Sequence, residues 1–201
     1  MRRLAFALVL LVGVAGCASD VGVAAQVGEK TIKISQVQSS VNSVIALRNE
    51  LKSEADPNIS DLSRGQLRFH MLSALIDEVA AQLKIVATPA EVDARKKAIR
   101  DQLGGQEAVD KAISDAGIAP EDFSRYLIDV IIEDKVGALL VPDAPAGAEG
   151  DAARGAAIQN AIRTVAKSLT VKVNPRYGTW DPDKVDVVQL DTTGGSVFPL
   201  E

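Results

Sequence analysis

The sequence predicts a mainly α-helical domain of five to six helices with short β-strands near its N- and C-terminal ends. Apolar residues recur at helical spacing in six segments between residues 35 and 169. Several of these segments begin with side chains that cap helices, and two end at glycine. Short stretches near residues 24–34 and 170–173 have the apolar pattern of strands.

The N-terminal part of this domain is predicted to be a strand pair followed by a helix. Residues 24–34 contain two apolar-rich stretches on either side of a turn that includes Gly28. Ser35 and Gln38 then form a capping-box pattern, in which the two side chains bond to free backbone amides at a helix start. Apolar residues follow at helical spacing, so the first helix should run to about Lys52.

Two further helices follow. Ser63 and Gln66 form a second capping-box pattern before a wide apolar stripe, which indicates an amphipathic helix that packs on the core. Thr88, Pro89 and Glu91 combine an N-cap, a proline at the first helical position and a glutamate that can reach back. A third helix should therefore begin at this point and stop at a pair of glycines.

The remaining helices are delimited by glycine and proline. Gly117 is placed to close a short fourth helix in the left-handed conformation, and Pro120-Glu121-Asp122 opens a fifth. The fifth helix is apolar on nearly all sides, so it is predicted to be the centre of the core. A Pro- and Gly-rich linker at residues 142–153 precedes a sixth helix and an edge strand at residues 170–173.

The N-terminus has the features of an export signal. A cationic start and an apolar run too short to span a membrane precede Val14-Ala15-Gly16-Cys17. This tetrapeptide resembles the lipobox of bacterial lipoproteins, which implies a signal peptide at residues 1–16 and acyl chains on Cys17. Residues 17–23 then form a lipidated tether. The mature protein is expected to be extracytoplasmic and lipid-anchored, with the outer face of the cell membrane favoured over the outer membrane.

Composition excludes several classes of partner. The 22 basic residues are outnumbered by 27 acidic ones, and loss of Arg2 and Arg3 with the signal peptide makes the chain still more acidic. No stripe of Lys and Arg is present, which argues against nucleic-acid binding. No glycine pair precedes a phosphate-binding helix, so no nucleotide is expected.

Residues 24–178 are predicted to form one domain, followed by a disordered tail at residues 179–201.

The residues that could perform chemistry are sparse, and no enzyme, cofactor or metal is expected. Cys17 is the only cysteine and His70 the only histidine, which excludes an intramolecular disulfide and a zinc site built on several imidazoles. His70 is predicted to lie on the solvated face of the second helix. A Ser-His-Asp hydrolase is disfavoured because no Gly-x-Ser-x-Gly elbow is present. Adjacent acidic residues such as Glu121 and Asp122 indicate solvated faces or caps.

Four segments resemble, in their order, the N-terminal chaperone domain of SurA-type and PrsA-type foldases. They are Ala25-Gln26-Val27-Gly28, Leu72-x-x-Leu75-Ile76-Asp77-Glu78, Pro89-x-Glu91-Val92 and Gly117-Ile118-x-Pro120-Glu121-Asp122-Phe123. The resemblance covers about residues 24–140, with a further echo at residues 161–177. It implies a mainly α fold in which a small β-sheet joins N- and C-terminal strands. Family members commonly carry a parvulin-type isomerase domain where this chain has only its short linker, so no prolyl isomerase activity is expected.

This resemblance implies a membrane-tethered chaperone or holdase that binds unfolded or secreted polypeptides. Phe69, Met71, Phe123 and Tyr126 could line a groove for such clients, because flexible and aromatic side chains adapt to varied apolar partners. Taken alone, the helical spacing of each of the four favours an ordinary core residue. The alternative function is that of an envelope adapter or scaffold lipoprotein that binds one defined protein partner.

Overall fold

The computed structural model describes residues 22–53 and 58–189. Over these ranges the chain is mainly helical, with six α-helices and short antiparallel strands, so the predicted fold class is confirmed. A single 3₁₀ turn at Pro120–Asp122 leads into α5. The elements are β1 (Val23–Val27), β2 (Lys30–Lys33), α1 (Ile34–Glu50), α2 (Ile59–Leu83), α3 (Pro89–Leu103), α4 (Gln106–Asp115), α5 (Phe123–Leu140), α6 (Ala148–Ser168), β3 (Val171–Val173), β4 (Thr179–Asp181) and β5 (Asp186–Val188). The predicted signal peptide, Cys17 and residues 190–201 lie outside the described residues.

The three-stranded sheet joins the two ends of the described chain, as predicted. Its strand order is β2-β1-β3, and both pairings are antiparallel. Val27 pairs with Lys30 across the β1–β2 turn, where Gly28 has a φ of 57° that favours glycine. On the other side of β1, Ala25 pairs with Val173. Strands from opposite ends of the chain therefore share one ladder.

The predicted N-cap of α1, Ser35, is wrong by two residues. The N-cap is Lys33, and no side chain caps the helix. The chain passes from β2 directly into α1, and the amide of Ile34 donates to the carbonyl oxygen of Gly22 at 2.8 Å. The connection to the sheet thus replaces the capping box that the Ser35 pattern suggested.

The predicted start of α2 at Ser63 is also wrong. The helix begins at Ile59, and the Asn58 side chain accepts hydrogen bonds from the amides of Ser60 and Asp61. Ser63 and Gln66 are therefore interior helical residues. The other predicted caps are confirmed: Thr88 and Glu91 form a capping box, and Gly104 and Gly117 adopt positive φ at the ends of α3 and α4.

The centre of the core is α2 rather than α5, which corrects the prediction. The most completely buried large side chains include Leu67, Met71 and Leu75 of α2. These side chains pack between the sheet and helices α5 and α6. Helix α5 leaves Leu139 and Leu140 exposed, so its nearly continuous apolar surface is only partly covered.

The linker is shorter than predicted, and the part of the predicted tail that the structure describes is ordered. Helix α6 already begins at Ala148, so only the first half of residues 142–153 is non-helical. Residues 179–189, assigned to a disordered tail, include the β4–β5 hairpin. This hairpin buries Val187 and is tied to α2 by an Arg68–Asp186 ion pair of 2.6 Å. The prediction missed the hairpin because each strand has only three residues.

None of the helices in the described ranges is long and apolar enough to cross a bilayer.

Candidate functional site

An open apolar groove lies between the first half of α2 and the connection from α4 to α5. Its volume is about 380 Å³. Phe69 on α2 is half-buried in its wall, and Tyr126 on α5 is 38% exposed. The lining residues are Asp61, Leu62, Gly65, Gln66, Phe69, Ala116, Gly117, Ile118, Ala119, Asp122 and Tyr126. The groove therefore presents aliphatic and aromatic surface with carboxylates at its edge.

The groove continues an apolar row along α2. Ile59, Leu62, Phe69 and Leu72 follow one another at spacings that place side chains on neighbouring parts of a helix surface. Ile59 and Leu72 are exposed. At 1.5 Å per residue the row extends about 20 Å. Gly65 lies in the middle of the row, and a Cβ atom added there would have no neighbour within 4 Å. The absence of a side chain at this position keeps the centre of the groove open.

The floor of the groove is fixed by a hydrogen bond between α2 and the α4–α5 connection. The buried Gln66 side chain donates from Nε2 to the carbonyl oxygen of Gly117 at 2.6 Å. Gly117 itself has a φ of 68°, and the amide of Ile118 donates to the carbonyl oxygen of Ile113 at 2.8 Å. Both walls are thus held by bonds within the protein, so the groove exists before any ligand binds.

His70 is buried beneath this region, which corrects its predicted position on the solvated face of α2. Its Nε2 lies 3.1 Å from Ser40 Oγ, and the Ser40 hydroxyl donates to Asp122 Oδ2 at 2.6 Å. Since the serine proton goes to Asp122, Nε2 must carry the hydrogen of a neutral imidazole. The Gln36 amide donates to Nδ1 at 3.2 Å. Both nitrogens of the ring are therefore satisfied, and the network joins α1, α2 and the 3₁₀ turn.

Ser40, His70 and Asp122 bring together the residue types of a hydrolase triad, but in a different order. A nucleophilic serine donates its proton to the imidazole, and the aspartate binds the other ring nitrogen. Here Ser40 lies between the imidazole and the carboxylate and donates to Asp122. Ser40 is also only 2% exposed. This arrangement fixes the position of Asp122 at the groove and does not prepare Ser40 for attack.

Burial lowers the pKa of His70 below its usual range, and the nearby charges of Asp122 and Glu121 oppose this effect only in part. The unfolded chain therefore takes up a proton on His70 more readily than the folded chain. The neutral ring contributes its full stability above the pKa that His70 has in the unfolded chain, about 6.5. This contribution is lost as the pH falls through the pKa that His70 has in the folded protein. We expect the advantage of the wild type over His70→Gln to shrink between pH 7 and pH 5. Urea unfolding of both proteins at several pH values measures this, and a constant difference would contradict the assignment.

Only two of the four predicted client-binding residues lie in the groove. Phe69 and Tyr126 line it, from different helices. Met71 is 1% exposed and belongs to the main core. Phe123 packs against residues of α3 and α4, in two smaller apolar clusters. Met71 is thus a core residue, whereas Phe123 is half-buried and lies outside this groove.

The sequence prediction missed Gly65, Leu62 and Ile118 as groove residues. The first two were placed outside or at the very start of the second helix, because Ser63 was assigned as its cap. Asn58, a strong N-capping residue, was the available signal for the earlier start. With that start, the apolar row and the central glycine could have been assigned to one helix face. Ile118 could not have been placed, since its position depends on how α4 packs.

In residues 22–53 and 58–189, no group of three or more His, Cys, Asp or Glu side chains is arranged to hold a metal ion. Comparison of the chain with protein-family models, curated proteins and solved structures gives no match. The groove and the sequence motifs are therefore the features that indicate a function.

Proposed function

We propose that this chain is a membrane-tethered holdase that binds apolar segments of unfolded or secreted polypeptides in the groove between α2 and α5. The observation that carries the proposal is the open apolar groove with Phe69 and Tyr126 on opposite helices. Reversible burial of apolar client surface lowers the population of aggregating species and requires no covalent step, nucleotide or cofactor. The SurA-type and PrsA-type resemblance favours the same function.

The dimensions of the groove suit a short extended segment. A strand advances about 3.3 Å per residue, so the 20 Å row along α2 accommodates about six client residues. Binding such a segment orders a disordered chain, and this entropic cost lowers the affinity. Few polar groups are positioned to select a particular sequence. Weak and broad binding is therefore expected, which suits a holdase better than a receptor for one ligand.

The proposed tether is the lipidated Cys17. Two or three acyl chains hold a protein firmly at a membrane surface, whereas one chain binds marginally. Anchorage outside the cell membrane would bring the groove close to polypeptides as they are exported. No prolyl isomerase activity is proposed, because the interval that carries a parvulin domain in the foldases is the short connection before α6.

The proposal predicts that Gly65→Gln abolishes protection against aggregation without weakening the fold. A Cβ atom added at this position has no neighbour within 4 Å, and replacing a mid-helix glycine stabilises a helix by about 0.5–1 kcal/mol. The glutamine would instead occupy the groove. Light scattering by an aggregating unrelated protein, measured with the chain from residue 18 onward, tests this. All contacts described above lie within that part of the chain.

Gly155→Gln is the matched control. Gly155 lies inside α6, where an added Cβ atom also has no neighbour within 4 Å, and it does not line the groove. This variant should gain similar helix stability and retain full protection. Equal protection by both variants would disprove the groove assignment. Crosslinking in the intact envelope separates the rival function, since recovery of one stoichiometric partner, without suppression of aggregation, would identify an adapter.

A further inference from the structure

We propose that the groove selects polypeptide segments in which apolar residues are flanked by Lys or Arg. This inference depends on the proposed function, because it names the class of segment that the same groove binds. It arises from the charges at the groove, which are unequal in sign. Two of its lining residues are carboxylates, Asp61 and Asp122, and none is Lys or Arg. A third carboxylate, Glu121, directly precedes Asp122.

The carboxylates next to α5 have no cationic partner among the residues that the structure describes. Asp122 accepts from the Ser40 hydroxyl, and its Oδ2 lies 3.9 Å from the ring of His70, which is neutral in the hydrogen-bond network described above. Glu121 is exposed and accepts from the Ser43 hydroxyl at 2.7 Å. Hydroxyl groups satisfy hydrogen bonds without neutralising charge, so both acids keep their attraction for a cation.

Two arginines, Arg48 and Arg64, lie beside the groove, and both are engaged within the protein. Arg64 pairs with Asp61 at 2.9 Å, but its Nε donates to the carbonyl oxygen of Tyr177 beside the β4–β5 hairpin. The Asp61 side chain remains 62% exposed despite this ion pair. Arg48 donates to the carbonyl oxygen of Ser114 at the end of α4. A bound segment would therefore meet carboxylates without a cationic partner next to α5, and on α2 the exposed Asp61, which Arg64 neutralises in part.

Apolar surface and acidic edges select different parts of a segment. Aliphatic or aromatic side chains fill the space around Gly65, Phe69 and Tyr126, whereas a basic flanking residue reaches Asp61 or the acids before α5. An exposed ion pair changes an equilibrium constant by up to about fivefold, and salt screens the interaction over about 10 Å at 0.1 M. Attraction between the acidic residues and a basic flank therefore selects among apolar segments, but burial of apolar side chains still provides most of the binding.

Fluorescence anisotropy with three labelled peptides tests this inference. The peptides share one apolar core of about six residues and carry flanks of Lys, Ser or Glu. We expect the Lys-flanked peptide to bind about fivefold tighter than the Ser-flanked one, and the Glu-flanked peptide to bind weakest. In 0.5 M NaCl the three affinities should converge. The single variant Glu121→Gln, at an exposed residue that does not line the groove, should reduce the preference for Lys flanks.

The possible outcomes separate this inference from the proposed function. Equal binding of all three peptides, abolished by Gly65→Gln, would overturn the charge preference and leave the holdase proposal standing. Failure of every peptide to bind would overturn both. A concentration-dependent dimer that Gly65→Gln disrupts would assign the groove to a second copy of the chain. Peptide binding only after removal of residues 190–201 would assign the groove to that segment, and either result would overturn the inference.

Discussion

Replacing Arg125 by methionine should lower the free energy of unfolding by about 3 kcal/mol, near the lower end of the range for breaking a buried ion pair. The Arg125 guanidinium donates to Asp77 at 2.7 Å, to the carbonyl oxygen of Ser73 at 3.1 Å, and to Asp129. Asp129 is only 6% exposed and, without Arg125, would keep just the Ser73 hydroxyl as a donor. The partial exposure of Arg125 limits the loss.

The dependence of this loss on pH distinguishes it from a simple packing defect. Burial raises the pKa of Asp129, although the Ser73 hydroxyl and Arg125 act to lower it. Removal of Arg125 should raise this pKa further. The folded variant then binds a proton more tightly than the unfolded chain, so stability is present at low pH and lost as the pH rises through the folded pKa.

Urea unfolding at pH 5 and pH 7.5 provides the measurement. The deficit of Arg125→Met should be larger at pH 7.5, and adding Asp129→Asn should recover part of it because the buried charge is gone. Asp77 adds to the deficit at both pH values, because its lowered pKa makes stability depend on pH only below its ordinary value of 3.8. Burial acts to raise the pKa of Asp77, but hydrogen bonds from Lys30 and Arg125 outweigh burial and lower it. A deficit below 1 kcal/mol that does not vary with pH would show that Arg125 merely covers the surface.

This cluster also explains why α5 is not the centre of the core that its sequence suggests. Apolar side chains occupy nearly every direction around the helix, yet Asp129 is buried and paired with Arg125 one turn earlier. The ion pair faces α2 and occupies part of the contact between the two helices. Sequence periodicity shows how many apolar residues a helix has, but not which of them its neighbours cover.

The elements predicted correctly are those specified by local interactions. The Thr88–Glu91 capping box and the left-handed Gly117 require only neighbouring residues, and both are present in the structure. The β1–β3 pairing joins distant residues, and it was predicted from the family resemblance together with the strand pattern. His70 was misplaced because its burial depends on Gln36 and Ser40 of α1, which supply the hydrogen bonds that a buried imidazole needs.

The groove was predictable only in part for the same reason. Phe69 and Tyr126 were proposed as client-binding residues because of their side-chain chemistry, and the structure places both at one site. Glu121 and Asp122 were interpreted as a solvated face or a cap. Nothing in the sequence places Asp61 near Asp122. That proximity results from the packing of the α4–α5 connection against α2, which the Gln66–Gly117 hydrogen bond fixes.

Met71→Ala should lower stability and leave protection intact, whereas Tyr126→Ala should weaken protection with little effect on stability. The comparison tests the assignment of Met71 to the core and Tyr126 to the groove. Met71 is enclosed by the sheet and the surrounding helices, so its truncation leaves a cavity and should cost about 2–5 kcal/mol of unfolding free energy. Leu75→Ala, at an equally buried position of the same helix, is the matched control and should cost a similar amount. Tyr126→Ala removes a ring that is only partly covered and should cost about 1 kcal/mol.

Protection against aggregation should follow the reverse order. At a temperature where all three variants remain folded, Met71→Ala and Leu75→Ala should retain protection, because neither residue lines the groove. Tyr126→Ala removes one of the two aromatic walls and should weaken protection severalfold. Urea unfolding and light scattering on the same preparations measure the two properties independently. Loss of protection in a fully stable Met71→Ala variant would return Met71 to the client-binding surface, and full protection by Tyr126→Ala would remove Tyr126 from it.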